Sequence, residues 1–431
     1  MLQNPHGERQ GANACGAQGT CASFDVDHLI QSVGSRSCDD MPRLNTMLRP
    51  EHELLLCCGS PAMSPAAERR LHELVQSRIE WSDVFRSAGR HGVAPLLHRA
   101  LASDPRSSIP ASLYDAFERH VIACGMQSRL LMRRSADTLR LFEKDGLRAL
   151  VFKGGILAKL AYGDVALRQF TDLDLLVHRD DYDRARTLLV RHGYRQHADY
   201  GWESTYLGDA LLPVDLHFSL TPTMFPVPLD FDGWWRRRQL VDVEGYEMPT
   251  LSHEDLTIVL AVQISKDAAS GTLRLAKLYD LAHLIAHKRD LDWTVVAQES
   301  NRLRVRGMLA FAVELVATLL RQPIPAPAAA MTRPRPRLRS LIARQTREVF
   351  QEIDAKGPTR RRLIAFHWHL REDLRDKLWP FLAIALETVT PNDWDRAVIR
   401  LPRSLFALYY VIRPLRLAWT YGRPHANSRN A

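Results

Sequence analysis

From Pro50 to about Asp145 apolar positions recur every three or four residues, as in Trp81, Val84 and Phe85 and again in Leu131, Leu139 and Phe142. That period predicts helices that pack along one face. At Leu147 it changes. The run Leu147–Phe152 is short and apolar like a strand, it ends in Lys153-Gly154-Gly155, and residues 156–163 return to a helical period. The segment Thr171-Asp-Leu-Asp-Leu-Leu-Val177 then alternates acidic and apolar residues at its start, which predicts a strand with two unlike faces. A helix over 180–192 carries Tyr182, Ala185 and Leu189 on one side and stops at Gly193. Strands near 202–207 and 211–218 complete a nucleus of strand, helix, strand, helix and hairpin.

Ser252-His-Glu-Asp255 has the spacing of a capping box ahead of a helix bearing Leu256, Val259, Leu260 and Ile264, and Leu275, Leu278, Ala282 and Ile285 mark the next helix. A Pro- and Arg-rich run over 323–340 interrupts the pattern and reads as a linker. The expected organisation is a disordered leader (1–46, with Met41 and Met47 as later candidate starts), a helical region (47–145), an α+β core on a small mixed β-sheet (146–250), a helical region covering the cleft (251–322), the linker (323–340) and a basic helical region (341–431).

A chain of 431 residues with 46% hydrophobic and 25% charged content is neither wholly disordered nor a small disulfide scaffold. The net charge of +9 is uneven: residues 323–431 hold 20 basic and 9 acidic residues, while the rest of the chain is slightly acidic. A polyanionic partner is therefore an argument about the C-terminal quarter alone, and nucleic acid is not indicated for the rest. The six cysteines form no C-x-x-C pair, so neither zinc nor a disulfide framework is indicated. With no signal-peptide pattern and no apolar run of about 18 residues, a reducing, cytoplasmic setting without a transmembrane segment is expected.

Three carboxylates carry the candidate chemistry: Asp172 and Asp174 in the alternating segment and Asp215 in Leu212-Pro-Val-Asp-Leu-His-Phe218. Residues i and i+2 of a strand share a face, and anions gathered there need cations; two Mg²⁺ ions, with Mn²⁺ as a substitute, would suit phosphoryl transfer. Gly154 and Gly155, between a strand and a helix, allow backbone amides to approach a phosphate, with Lys153 and Arg168 as cations nearby. His217 shares a strand face with Asp215, where it either hydrogen-bonds a metal-site carboxylate or the acceptor, or serves as a structural histidine.

Lys-Gly-Gly, an Arg shortly before Asp-Leu-Asp-Leu-Leu-Val, and a later Val-Asp-Leu-His resemble the uncharacterised bacterial nucleotidyltransferase family within the DNA polymerase β-like superfamily. Further likeness runs through Glu53-Leu-Leu-Leu, His91-Gly-Val-Ala-Pro-Leu-Leu, Tyr279-Asp-Leu, Pro391-Asn-Asp-Trp, Leu401-Pro and Arg413-Pro-Leu-Arg-Leu, over roughly residues 50–420. The resemblance implies that Asp172 and Asp174 hold two divalent ions, that Asp215 holds the catalytic one, and that Gly154 and Gly155 seat the phosphates of a nucleoside triphosphate. It implies transfer of a nucleoside monophosphate to a hydroxyl or similar acceptor with release of pyrophosphate. The acceptor, whether small molecule, sugar, peptide or protein, is not given. The rival expectations are a nucleotide- or partner-binding protein that keeps the fold without catalysis, and a tailoring enzyme in peptide or polysaccharide biosynthesis.

His283 and His287 have the i, i+4 spacing of a paired metal site but lack the glutamate of H-E-x-x-H, so ordinary packing histidines are expected. Asp280 reads as a helix-packing ion pair, and Lys266 and Arg274 as solvated cations with a triphosphate as their functional alternative. Leu405–Tyr421 is apolar, aromatic and basic; docking onto the protein body is expected in preference to a membrane surface.

Overall fold

The computed structural model describes residues 49–421 except 62–64, 103–108, 289, 333–335, 352–356, 392–394, 396–398 and 400; the leader expected at 1–46 lies outside the described residues. The chain divides into two compact units, one running to Pro222 and resuming over Val227–Glu372, the other formed by Thr223–Pro226 and Asp373 onward.

The larger unit begins with helices α1 (Pro50–Cys57), α2 (Pro65–Gln76), α3 (Trp81–His91), α4 (Ala94–Ala102) and α5 (Ala111–Lys144). Then come β1 (Ala149–Val151), α6 (Gly154–Tyr162), β2 (Leu173–Val177), α7 (Tyr182–Arg191), β3 (Arg195–Asp199), β4 (Glu203–Leu207), β5 (Val214–His217), α8 (Phe231–Arg236), β6 (Gln239–Val243) and β7 (Tyr246–Thr250). The seven strands form one mixed sheet in the order β3-β4-β5-β2-β1-β7-β6. At its centre β2 runs parallel to β5 and antiparallel to β1, while β4 is antiparallel to β5. This is the α+β class expected, with a larger sheet than the sequence pattern showed.

Side chains that alternate along these strands divide the interior in two. Leu150, Phe152 and Leu176 join Leu157, Ala161 and the helices that follow the sheet, whereas Val151, Leu173, Leu175, Val214 and Leu216 pack on Met132 and Phe142 of α5 and Leu188 of α7. After the sheet come α9 (His253–Ser270), α10 (Leu275–His287), α11 (Trp293–Arg302), α12 (Arg306–Leu320), α13 (Ala326–Met331), α14 (Pro336–Glu348) and α15 (Arg360–Leu370). Ser252 caps α9 as expected, Oγ accepting from Asp255 N at 3.1 Å, although the Asp255 carboxylate takes the Ser252 hydroxyl at 3.0 Å where a full capping box would take its backbone N–H.

Two expectations change. The Pro-rich segment expected as a linker holds α13, since proline in a first turn removes no helical hydrogen bond, and Ala328 at its centre is wholly buried. Strands β3, β6 and β7 were not expected; β3, Arg-Gln-His-Ala-Asp, is an edge strand with almost no apolar signal.

The smaller unit contains α16 (Leu374–Val389), a 3-10 turn (Arg403–Leu408) and α17 (Tyr409–Tyr421), which continues through Pro414. Buried Asp395 accepts from Arg413 Nη1 at 2.7 Å and Arg416 Nε at 2.8 Å, and Arg413 also donates to the Thr388 and Glu387 carbonyls that end α16. Two of the basic residues in this region are thus internal ties. No helix among the described residues is long and apolar enough to cross a membrane.

Candidate functional site

One sheet face collects the polar residues of three adjacent strands. In β2 and β5, Asp174 stands opposite Asp215, and in β4 and β5, Thr205 stands opposite Asp215 and Glu203 opposite His217. The intervening residues Leu173, Leu175, Val214, Leu216 and Tyr206 fill the core on the other side, so burial of that face fixes the register that brings the polar set together. One donor atom from each of Asp174, Asp215 and His217 lies within 4.8 Å of the others, a group that could hold a metal ion. Asp172 is not one of the three. It stands one residue ahead of β2 and is partly buried, close enough to Asp174 and Asp215 to feel their charges.

The carboxylates are bound tightly by the protein itself. Lys153 Nζ donates to Asp174 Oδ1 at 2.7 Å, His217 Nε2 meets the same oxygen at 3.1 Å, and Thr205 Oγ1 donates to Asp215 Oδ1 at 2.6 Å. His217 Nδ1 is 2.9 Å from Glu203 Oε2, near enough for an ion pair though not in line for a hydrogen bond. The Phe152 ring and the imidazole pack at a steep angle with centroids 5.2 Å apart.

Burial acts against every charge here, and the neighbours decide the outcome. It raises Asp172 to about 7, with the charges of Asp174 and Asp215 adding to the rise. It raises Asp215 too, again reinforced by Asp174. Asp174 is also desolvated, yet Lys153 and then His217 hold it well below the usual carboxylate range. Burial would lower His217, but Glu203 and Asp174 carry it above the ordinary histidine value. Glu203 is in turn held low, against its burial, chiefly by His217.

Lys153 is extended ahead of α6, and Gly154 takes φ of +62°, a left-handed conformation that glycine adopts without strain. Gly155 is small for a different reason: a Cβ there would come within 2.4 Å of Met132 Sδ and 3.0 Å of Phe170 Cζ. Its missing side chain makes room for α5, while its backbone amide keeps its place at the helix start. Arg168 does not stand free for a phosphate. Its Nε donates to both carboxylate oxygens of Asp280 at 3.1 and 3.0 Å, and Nη1 reaches Gly154 O at 3.5 Å. Tyr162 Oη donates to Asp280 Oδ1 at 2.9 Å, so Asp280 joins α10, α6 and the segment before β2. This is the packing role expected of Asp280.

His283 Nε2 meets Gly59 O at 2.8 Å and His287 Nδ1 meets the His283 carbonyl at 3.0 Å, as packing histidines do. Glu203 and Thr205 were not singled out in the sequence. Their signal is the alternation of Glu203 and Thr205 with Ser204 and Tyr206, which becomes readable once β4 is registered on β5.

No curated protein matches the chain. An antigenic nucleotidyltransferase-like protein from Paracoccidioides brasiliensis, known from a crystal structure, is 14% identical to it over 47% of this chain and 97% of its own, with a TM-score of 0.29. The family described as uncharacterised nucleotidyltransferase matches residues 77–321, a narrower span than the likeness over 50–420. That match takes in the whole sheet, the Lys-Gly-Gly turn, all three aspartates and His217, and covers more than half of the sequence, so the chain belongs to the uncharacterised nucleotidyltransferase family.

Proposed function

We propose that this protein is a divalent-metal-dependent nucleotidyltransferase of the DNA polymerase β-like superfamily, bacterial and cytoplasmic, with residues 146–250 as its catalytic core. The observation that carries the reading is the meeting of Asp174, Asp215 and His217 on one sheet face in a family of nucleotidyltransferases. In the proposed reaction an acceptor hydroxyl attacks the α-phosphorus of a nucleoside triphosphate, the bond to the β-phosphate breaks, pyrophosphate leaves, and the hydroxyl proton passes to Asp215 or to water.

The donor set fits a divalent cation. Two carboxylates and an imidazole converge, and Asp172 beside them is a carboxyl whose proton burial and two like charges retain up to about pH 7. Asp174 and Asp215 would hold the ion, joined by Asp172 on ionisation and by His217 once its imidazole gives up its proton, with Mg²⁺ or Mn²⁺ as the species. When bound it supplies charge neutralisation at the phosphoryl oxygens. Of the protein's own groups, Lys153 and the amides of Gly154 and Gly155 seat phosphates, and Arg168, held by Asp280, fixes the turn that carries them.

The test uses the full chain with labelled nucleoside triphosphates, Mg²⁺ or Mn²⁺ and candidate hydroxyl, sugar and peptide acceptors, reading nucleotide transfer and pyrophosphate. Loss of both in Asp174→Ala/Asp215→Ala is expected; no binding of any nucleoside triphosphate by the unaltered protein overturns the reading.

One observation favours a second reading, a nucleotide-binding protein without catalysis: Asp174 Oδ1 already takes Lys153 and His217. A metal titration separates the two. A catalytic site binds nucleotide far more tightly with Mg²⁺ than without it, whereas a site neutralised by its own lysine and histidine does not.

A further inference from the structure

Asp174 and Asp215 stand opposite each other on β2 and β5, yet the protein holds the two carboxylates differently. Asp174 Oδ1 takes Lys153 Nζ at 2.7 Å and His217 Nε2 at 3.1 Å. Asp215 takes one neutral donor: Thr205 Oγ1 meets its Oδ1 at 2.6 Å, and Oδ2 has no hydrogen-bond partner among the described residues. Register brings Thr205 there. It is the direct cross-strand partner of Asp215 in the pairing of β4 with β5, which sets their Cβ atoms about 4.5–5.5 Å apart. The branch at its Cβ restricts χ1, so little freedom is lost in holding the hydroxyl in place. On the other side of β4 the ladder is irregular. Gln196 pairs with Tyr206 but Ala198 with Thr205, so β3 carries one extra residue, His197, where it passes Thr205. Such a bulge increases local twist and re-aims neighbouring side chains, and bulges gather beside active sites.

We propose that Thr205 is the positioning residue of Asp215: its hydroxyl fixes one carboxylate oxygen and leaves the other for the divalent cation. The inference rests on the nucleotidyltransferase reading, in which Asp215 holds the ion, and adds a residue to it. A carboxylate tied at one oxygen no longer rotates freely, so less order has to be imposed when a cation arrives, and partners of this kind are worth about 10–100-fold in metal affinity. A hydroxyl suits the task because it orients the carboxylate through a single donated proton and brings no charge to compete with the ion. Ser204, the next residue back along β4, supplies the comparison. Successive side chains of a strand point to opposite faces, and the Ser204 hydroxyl accepts from Tyr182 Oη at 2.8 Å, away from the carboxylates.

The experiment measures the dissociation constant of Mn²⁺ for the full chain by calorimetry, without nucleotide. The proteins are the unaltered chain, Thr205→Val, Thr205→Ser and Ser204→Ala, with thermal unfolding as the check on folding. Thr205→Val should weaken Mn²⁺ by about tenfold or more, while Thr205→Ser, which restores the hydroxyl, should stay within about threefold of the unaltered chain. Ser204→Ala should lower the unfolding temperature, because the buried Tyr182 hydroxyl loses its acceptor, and should leave Mn²⁺ affinity within about twofold. Equal Mn²⁺ affinity in Thr205→Val and the unaltered chain, or the same loss in all three variants, overturns the assignment and leaves the nucleotidyltransferase reading standing. If the unaltered protein binds no Mn²⁺, the metal-dependent reading falls and this inference with it. Should Thr205→Val not fold, Thr205→Ala carries the same comparison.

Discussion

Glu203 and His217 are direct cross-strand partners, and Glu203 Oε2 lies 2.9 Å from His217 Nδ1 while the other imidazole nitrogen meets Asp174 at 3.1 Å. Both side chains are almost completely buried. An imidazole between two carboxylates holds its proton, and in doing so it lets two anions occupy a face that low polarity would otherwise deny them. The positive charge that a D-x-D strand requires is thus partly supplied by the fold.

Replacing Glu203 with glutamine should release that proton. Burial lowers His217, and Glu203 first and Asp174 next raise it above its unfolded value. The stability this contributes is complete below the unfolded histidine value of about 6.5 and is lost as pH rises through the higher folded value. In Glu203→Gln the folded value should fall, and the stability it contributes near neutral pH should fall with it. Imidazole NMR titration and urea midpoints between pH 6 and 9 read both effects. An unchanged His217 titration would show that Glu203 does not hold the proton.

Asp172 predicts a slope of the same sign from a different group. Its folded value is raised to about 7, first by burial and then by Asp174 and Asp215, so the folded chain keeps a proton that the unfolded chain has released. Stability should therefore decline as pH climbs from about 4 toward 7, by no more than about 1.4 kcal/mol per pH unit. Asp172→Asn should flatten this part of the curve. Mg²⁺ should raise the unfolding temperature of the unaltered protein more at pH 8 than at pH 6, since cation and proton compete for the same carboxylates. A stabilisation by Mg²⁺ that is equal at both values contradicts this.

The parts of the site written in local patterns were legible in the sequence. Asp174 and Asp215 stand out because polar and apolar residues alternate over a few positions in β2 and β5, and the Gly154-Gly155 turn because it separates two periods. What depends on register was not legible. Glu203 and Thr205 lie in a strand whose other face carries Ser204 and a tyrosine, so their side is defined by the pairing of β4 with β5. Arg168 and Asp280 are 112 positions apart, and the arginine expected near a phosphate is bound by a carboxylate from a helix that packs on α6. The β6–β7 hairpin did have a local signal, Glu244-Gly245 between apolar flanks, both residues at positive φ.

Asp280→Asn should expose how far the turn depends on that pair. The substitution leaves the Arg168 guanidinium buried without a full counter-charge, beside a Tyr162 hydroxyl that has lost its anionic acceptor. Breaking a buried pair from one side costs about 3–5 kcal/mol, and the amide recovers part of that through a neutral hydrogen bond. Urea unfolding should show a loss of about 2–4 kcal/mol. Where the variant remains folded, triphosphate binding should weaken, because Arg168 Nη1 loses its hold near Gly154 O. A loss below about 0.5 kcal/mol would mean that the pair is a surface-like contact.

Gly155→Ala separates packing from phosphate binding. A methyl group there would meet Met132 Sδ at 2.4 Å and Phe170 Cζ at 3.0 Å, so the Met132 side chain or the Phe170 ring must shift. Overpacking of this kind costs about 1–3 kcal/mol, reduced by as much as about 1 kcal/mol from alanine's better helix propensity. Met132→Ala alone should also destabilise, by about 2–4 kcal/mol, because it opens a cavity beside α6. The double variant should be more stable than the sum of the two losses, by about 0.5–2 kcal/mol, since one change fills the space the other vacates. Strict additivity in that cycle would mean that Met132 is not what keeps position 155 small. Triphosphate binding restored in the double variant would assign the glycine to helix packing, leaving the amide at the start of α6 as the part that meets the phosphate.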